Sequence, residues 1–393
     1  MINDSFLFKG EVLKPIKNIT VLDFSSNLPG PLCSSILTSL GARVIKIESP
    51  DGDPFRKSGE MWTSLNIGKE SISINLKTQA GKDLIYDLLQ IADVVIEGWR
   101  PGVAKKLGVD YLSLNKINEK LIYCSISGYG QDGPWAQRSG HDINYLAASG
   151  YYSVDDRNKE LYPPSILIAD VSSAFYACIL LLSSVASRNN TGQGCYIDLS
   201  MAESVLSILN LEFAKRYSNS SLQGFPNVTH LPHYNIFKCS DDSWITLGIV
   251  DEDHFWSAFC DVTGLVEMRD WDLDDRTKSY EYIEKQLKQV FLTKTSKEWE
   301  TLLLKVNIPA ALVNTIEDVI ENAQFKYRDV WSKYNEFQIA GLPALINNKN
   351  LKISGKAPFL GQHANQIVKE LNYSREQIAT LNSEKTTPIP LEY

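Results

Sequence analysis

The segment from Asn18 to Glu48 constrains the fold more than any other part of the chain. An apolar run, ITVLDF, is followed by a turn, SSNLPGP, a helical stretch, CSSILTSLGA, and a second apolar run, RVIKIE. Two short β-branched runs separated by one helix length read as strand, helix and parallel strand, because parallel neighbours need a crossover of that size. Pro31 suits a first helical turn, where the backbone N–H has no intrahelical acceptor, and Gly41 suits the C-terminal cap. The alternation recurs downstream. Ser71 to Leu76 reads as a strand, Gly81 to Ile91 as an amphipathic helix, and Asp93 to Glu97 and Lys120 to Ser127 as buried strands. Such alternation predicts an α/β domain, a mostly parallel sheet with helices on both faces.

A long apolar helix is expected from Asp170 to Ser187, followed by the turn NNTGQG, the strand CYIDLS and a helix beginning at Ala202. Its most apolar part, Ala174 to Ala186, falls short of the roughly 20 residues a bilayer requires and is punctuated by serine, so it reads as a buried core helix. From Ser218 the texture changes to loop as far as His233. A hairpin follows in YNIFKCSDDSWITLGI, turning at Ser240 to Asp242, and helical patterns run from Asp253 to Ala311. This places a smaller α+β domain at residues 218–325. The remainder carries a short strand pair and a helix near Asn365 to Asn372. A length of 393 residues accommodates two such domains.

Charge and cysteine content narrow the function classes. With 39 basic and 47 acidic side chains the net charge is −8, without the clustered cationic excess that a phosphate backbone demands, so no nucleic-acid partner is expected. The N-terminus lacks a basic region leading into an apolar stretch, and a cytoplasmic protein is expected. The six cysteines stand far apart with no CxxC pair, which favours buried reduced thiols over a zinc knuckle or disulfide framework. Glu48 ends the second strand where an acidic residue holds a nicotinamide ribose, but SSNLPGP has one glycine, and a proline follows it. A GxGxxG fingerprint is absent, and nicotinamide is not expected.

Two short stretches carry the chemistry. SGHDINY sets His141 beside a glycine in a polar turn just ahead of an apolar helix, where an imidazole titrating near neutrality can serve as acid or base. PPSILIAD runs an apolar segment into Asp170 at a predicted helix start, where capping and the helix dipole would keep the carboxylate ionised. Two readings of Asp170 stand at this point, an N-cap and a reacting group, and His141 likewise reads as a turn residue or a base. His230 and His233 lie close together without a third ligand, so they are assigned to loop structure and no metal site is expected.

Taken together, several blocks resemble the class III CoA-transferases and the related α-methylacyl-CoA racemases. They are VLDFSSNLPGPLCSSILTSLGARVIKIESPDGDPFR, the stretch from SISINLK through EGWRPGVAKKLG to SGYGQDGPW, TGQGCYIDLSMAESVL, and GKAPFLGQHANQIVKEL near the end. The resemblance implies a Rossmann-like large domain, residues 1–217 with 326–393, around the small one, and an interlocked homodimer. It implies basic contacts to CoA from Lys77, Arg100 and Lys106, with Ile74, Gly98 and Trp99 lining the adenine and pantetheine path. Ser49 stands where transferases often carry an arginine.

The acidic position shared by both branches falls on Asp170. In the transferases it attacks the acyl thioester and passes through a mixed anhydride. In the racemases it moves the proton α to the thioester carbonyl, opposite a histidine matched here by His141 and supported by a glutamate matched by Glu252. GHDINY looks like the racemase branch, whereas Ile166 and Val171-Ser172-Ser173 depart from it. Backbone N–H groups near Asp170 are expected to stabilise the enolate oxygen. The substrate implied is an acyl-CoA thioester, for a transferase together with a free carboxylic acid, and no cofactor is expected beyond CoA itself. The loop Gly224 to Thr229 is a candidate for acyl contacts.

Overall fold

In the computed structural model, residues 14–154, 160–217, 230–384 and 386–387 are described. The chain divides into two compact units, the first ending at Phe213 and resuming at Lys326, the second spanning Ala214–Phe325. The candidate loop Gly224 to Thr229 lies outside the described residues.

The first unit is built on six parallel strands, β1 (Thr20–Asp23), β2 (Arg43–Glu48), β3 (Glu70–Ser73), β4 (Val94–Glu97), β5 (Ile122–Ser127) and β6 (Cys195–Ser200), in the order β3-β2-β1-β4-β5-β6. This is the strand order of a Rossmann-like sheet. Val21 of β1 pairs with Val44 of β2 on one side and Val94 of β4 on the other. Alternate residues feed two separate cores: Val21, Val44, Ile96 and Cys124 face one side, and Leu22, Ile45, Val95 and Tyr123 the other. Burial on both faces explains the continuous apolar runs of the sequence. β3 is shorter than expected: the Ile74 N–H still donates to Glu48 O of β2 at 2.7 Å, but the Asn75 N–H donates to Thr386 O instead.

The helices of this unit up to its crossing into the second are α1 (Pro29–Ser39), α2 (Gly59–Asn66), α3 (Gln79–Leu88), α4 (Val103–Leu107), α5 (Tyr111–Asn115), α6 (Asp142–Ala148), α7 (Ile168–Thr191), α8 (Met201–Ile208) and α9 (Asn210–Tyr217). α1 starts at Pro29, so both prolines fall in its first turn, where no N–H is needed. α7 is longer than expected, and at 24 residues it has the length and composition to cross a membrane, alone among the described residues. Only one side of it is core: Ala169, Ala174, Ala177, Cys178 and Leu181 pack with Cys33 and Leu37 of α1, while Phe175, Ile179 and Leu180 are exposed. Small residues on the inner side let the two helices approach closely. The expectation of a fully buried helix therefore holds for one face only.

Behind the loop that follows β1 lies a buried ionic network. Lys69 donates to Ser34 Oγ at 2.7 Å, Pro31 O at 3.0 Å and Asn66 Oδ1 at 3.0 Å, and its Nζ lies 3.4 Å from Asp23. The Lys46 ammonium donates to the Ser25 carbonyl. Burial alone would raise the Asp23 pKa, but Lys46, Lys69 and the hydroxyls of Ser25 and Ser34 outweigh it and bring it to about 2. All six cysteines are unpaired, and only Cys195 is not fully buried.

The second unit holds an antiparallel sheet of β7 (Tyr234–Lys238), β8 (Trp244–Gly248) and β9 (Ala310–Leu312). Its helices, beginning with α10 (Asp253–Thr263), close over a core that includes Phe237, Ile245, Trp256, Phe259, Phe291 and Trp299. This is an α+β arrangement.

Candidate active site

Strand order reverses between β1 and β4, and in open α/β sheets the loops at the carboxyl ends of such a pair diverge and leave a crevice. Two cavities occupy that place. The first, about 530 Å³, is lined by the loops after β1, β2 and β3 and includes Ser49, Asp53, Ile74, Lys77 and Trp99. The second, about 470 Å³, is lined by Gly98, Trp99 and Arg100 and, from the α6 and α7 termini, by His141, Asp142 and Asp170. Ser25, Ser26 and Trp99 border both, so the two adjoin along that wall.

The wall is held from behind. Glu97, buried at the end of β4, accepts the Trp99 N–H at 2.8 Å and the Ser125 hydroxyl, and the Trp99 ring lies 5.6 Å from that of Phe24. Burial pushes the Glu97 carboxyl up to about 7 against these two donors. Lys46 holds the opposite side through Ser25.

His141 is placed by its neighbours. The Tyr145 hydroxyl donates to Gly140 O at 2.7 Å, and the ring fills the space beside two glycines: a Cβ would fall 2.7 Å from it at Gly140 and 2.6 Å from it at Gly128. The His141 N–H donates to Asn144 Oδ1 at 3.0 Å, which ends the turn and starts α6. The side chain itself is exposed at the cavity.

Asp170 is not the cap of α7. The N-cap is Leu167, which offers no side-chain acceptor, and the carboxylate of Asp142 takes that role, accepting from Ala169 N at 2.7 Å and Asp170 N at 3.2 Å. Two expectations fall with this arrangement. The N–H groups beside Asp170 are engaged by Asp142 and do not face an enolate oxygen. Nor does the helix terminus lower the Asp170 pKa: burial, with Asp142 adding to it, pushes the carboxyl up to about 6.

Of the other residues singled out in the sequence, Ile74 and Lys77 line the first cavity, Gly98 and Arg100 the second, and Trp99 both. Lys106 lines neither. It projects to solvent from α4, whose Leu107 turns inward to the first cavity instead. Glu252 belongs to the second unit, where it precedes α10 and accepts the Val250 N–H at 2.8 Å, which holds its pKa below the usual value. His233 is buried against Trp256, with Nδ1 3.0 Å from Ile249 O, and burial lowers it to about 4. Among the described residues no three metal-ligating side chains come together. Asp142, Tyr145, Arg138 and Glu97 were not singled out in the sequence, though Asp142 stands inside the same GHD turn as His141.

The sequence matches the pattern of CoA-transferase family III over residues 16–364. It is 30% identical to the alpha-methylacyl-CoA racemase of Homo sapiens, covering 94% of this chain and 97% of that one. It is 29% identical to the succinyl-CoA:glutarate CoA-transferase of Mus musculus, covering 94% and 89%. The crystal structure of a CAIB/BAIF family protein from Brucella suis superimposes with a TM-score of 0.81 at 28% identity, covering 91% of this chain and 99% of that one. The chain thus belongs to CoA-transferase family III and is an enzyme.

Proposed function

We propose that the enzyme inverts the α-carbon of a 2-methyl-branched acyl-CoA by removing and returning its α-proton. The observation that carries this reading is that His141 and Asp170, an imidazole and a carboxyl group, line one cavity. A carboxyl at about 6 is suited to alternate between base and acid, because proton-transfer efficiency is greatest when the pKa lies near the working pH. One group takes the proton, the C–H electrons pass to the thioester oxygen as an enolate, and the other group returns a proton to the opposite face. Arg100 and Arg138, which line the same cavity, offset the developing negative charge. The first cavity, bordered by Lys77, Ile74 and Trp99, takes the nucleotide end of CoA. Two chains form an interlocked homodimer, the enzyme is cytoplasmic, and no cofactor is required beyond the CoA of the substrate.

CoA transfer to a free carboxylic acid is the second reading, favoured by a nearly equal similarity to a succinyl-CoA:glutarate CoA-transferase. There Asp170 is the nucleophile and His141 is dispensable for the covalent step. Mass spectrometry of a 2-methylacyl-CoA incubated in D₂O, with and without a second carboxylic acid, separates the two. Gain of one deuteron without the acid, abolished in His141→Ala, supports inversion. A new acyl-CoA formed only with the acid, and no deuterium, replaces it with transfer.

A further inference from the structure

We propose that Asp142 is the positioning residue of the reacting pair: its carboxylate, seated on the Ala169 and Asp170 N–H groups, fixes the distance between His141 and Asp170 and keeps the α7 terminus from stabilising a charge on Asp170. The proposal rests on the function given above. Asp142 is bonded directly to His141 and opens α6, yet its Oδ1 reaches a helix terminus 27 positions away. It is 5% exposed, so these two hydrogen bonds are largely shielded from water. The first N–H groups of any helix lack intrahelical acceptors, and in α7 no nearby side chain serves them. Sliding α6 along α7 would break both bonds at once.

Position and charge are set by the same carboxylate. The positive end of a helix ordinarily favours an ionised side chain in its first turn. Here that end is already occupied by an anion, and Asp170 faces Asp142 across the terminus. The other titratable or charged groups lining the same cavity are His141 and Tyr145 from the α6 side, Arg100 from the loop after β4, and Arg138 from the loop before α6. With both guanidinium groups lining the same cavity, the Asp170 carboxyl still stands above its ordinary value, through burial and Asp142.

The experiment compares the wild-type enzyme with Asp142→Asn and Asp142→Ala. Asparagine keeps an oxygen for the two N–H groups and removes the charge, whereas alanine removes both. In the deuterium-exchange assay, the acidic limb of the rate profile in Asp142→Asn moves down by about one pH unit, because a like charge no longer opposes ionisation of Asp170. Asp142→Ala loses at least about 10-fold in kcat with little change in KM, and Asp142→Asn recovers most of that loss. A limb that stays in place in Asp142→Asn, or an Asp142→Ala enzyme that turns over like wild type, overturns the proposal. If wild type exchanges no deuterium, the function above fails, and Asp142 is then judged on the free protein. The ¹³C carboxyl titration of Asp170, assigned by its loss in Asp170→Asn, must still shift downward in Asp142→Asn. An unmoved titration refutes the positioning role, and this reading also serves if Asp142→Ala does not fold.

Discussion

Replacing Asp170 by asparagine should stabilise the protein at alkaline pH while abolishing its activity. The side chain keeps its size but can no longer ionise. In the fold the carboxyl titrates at about 6, against an ordinary value of 3.8, because burial and Asp142 disfavour its charge. A folded pKa above the unfolded one means that the native state binds more protons between those values. The contribution of Asp170 to stability is therefore full below the unfolded value and is lost as pH rises through about 6. A shift of about two pH units corresponds to about 3 kcal/mol, and because part of the side chain meets solvent, about 1–2 kcal/mol is the realistic figure. Urea unfolding of wild type and Asp170→Asn at about pH 8 and about pH 4.5 reads this directly. The variant should be more stable by about 1–2 kcal/mol at the higher pH, and the gap should shrink at the lower, where wild type is itself protonated in the fold. Equal stability at both values, or a variant weaker at the higher one, would refute the reasoning. It would mean that the α7 terminus does stabilise the Asp170 charge.

Three further outcomes follow from the surroundings of the site. Lys69→Met should cost about 3–5 kcal/mol in urea unfolding, because it strips Asp23 of a buried counter-charge and leaves Ser34, Pro31 and Asn66 without their donor; a loss below about 1 kcal/mol would show the network to be structurally idle. The wild-type KM for acyl-CoA should rise as pH falls through about 7, because the Glu97 carboxyl protonates and its hold on the Trp99 N–H weakens, and Glu97→Gln should remove that dependence; identical KM profiles for both proteins would count against that link. Gly140→Ala places a Cβ 2.7 Å from the Tyr145 ring, and since that ring anchors the turn before His141, kcat should fall by about 10-fold or more at a stability cost of about 1–3 kcal/mol; wild-type kcat would show that the turn tolerates the shift.

Much of the large unit was legible because its strands are buried on both faces. A run such as RVIKIE leaves little else for the backbone to do, and Pro29, Pro31 and Gly41 punctuate the first crossover. Element lengths were less legible. β3 ends early because Asn75 bonds to Thr386, a partner more than 300 positions away, and no local pattern announces that. α7 begins ahead of Asp170 because its cap comes from another helix. The inward serines and alanines and the outward Phe175, Ile179 and Leu180 divide its surface in a way that overall apolarity conceals.

For the site, the residue types in GHDINY and ILIAD made His141 and Asp170 candidates but left a turn residue and an N-cap as equal readings, and the family resemblance was what joined them as a reacting pair. Their meeting in one cavity was not contained in either stretch. It arises because β1 and β4 are neighbours in the sheet while α6 and α7 pack against the same core. The sign of the Asp170 shift was likewise out of reach. A helix start predicts a lowered pKa, and burial, with Asp142 approaching from another element, reverses it. Sequence by itself determined the alternation of strands and helices and the chemical types at the site, because both follow from local spacing and side-chain identity. Tertiary structure decided which groups share a cavity and which of them carry charge, because burial and like-charge proximity depend on residues far apart along the chain.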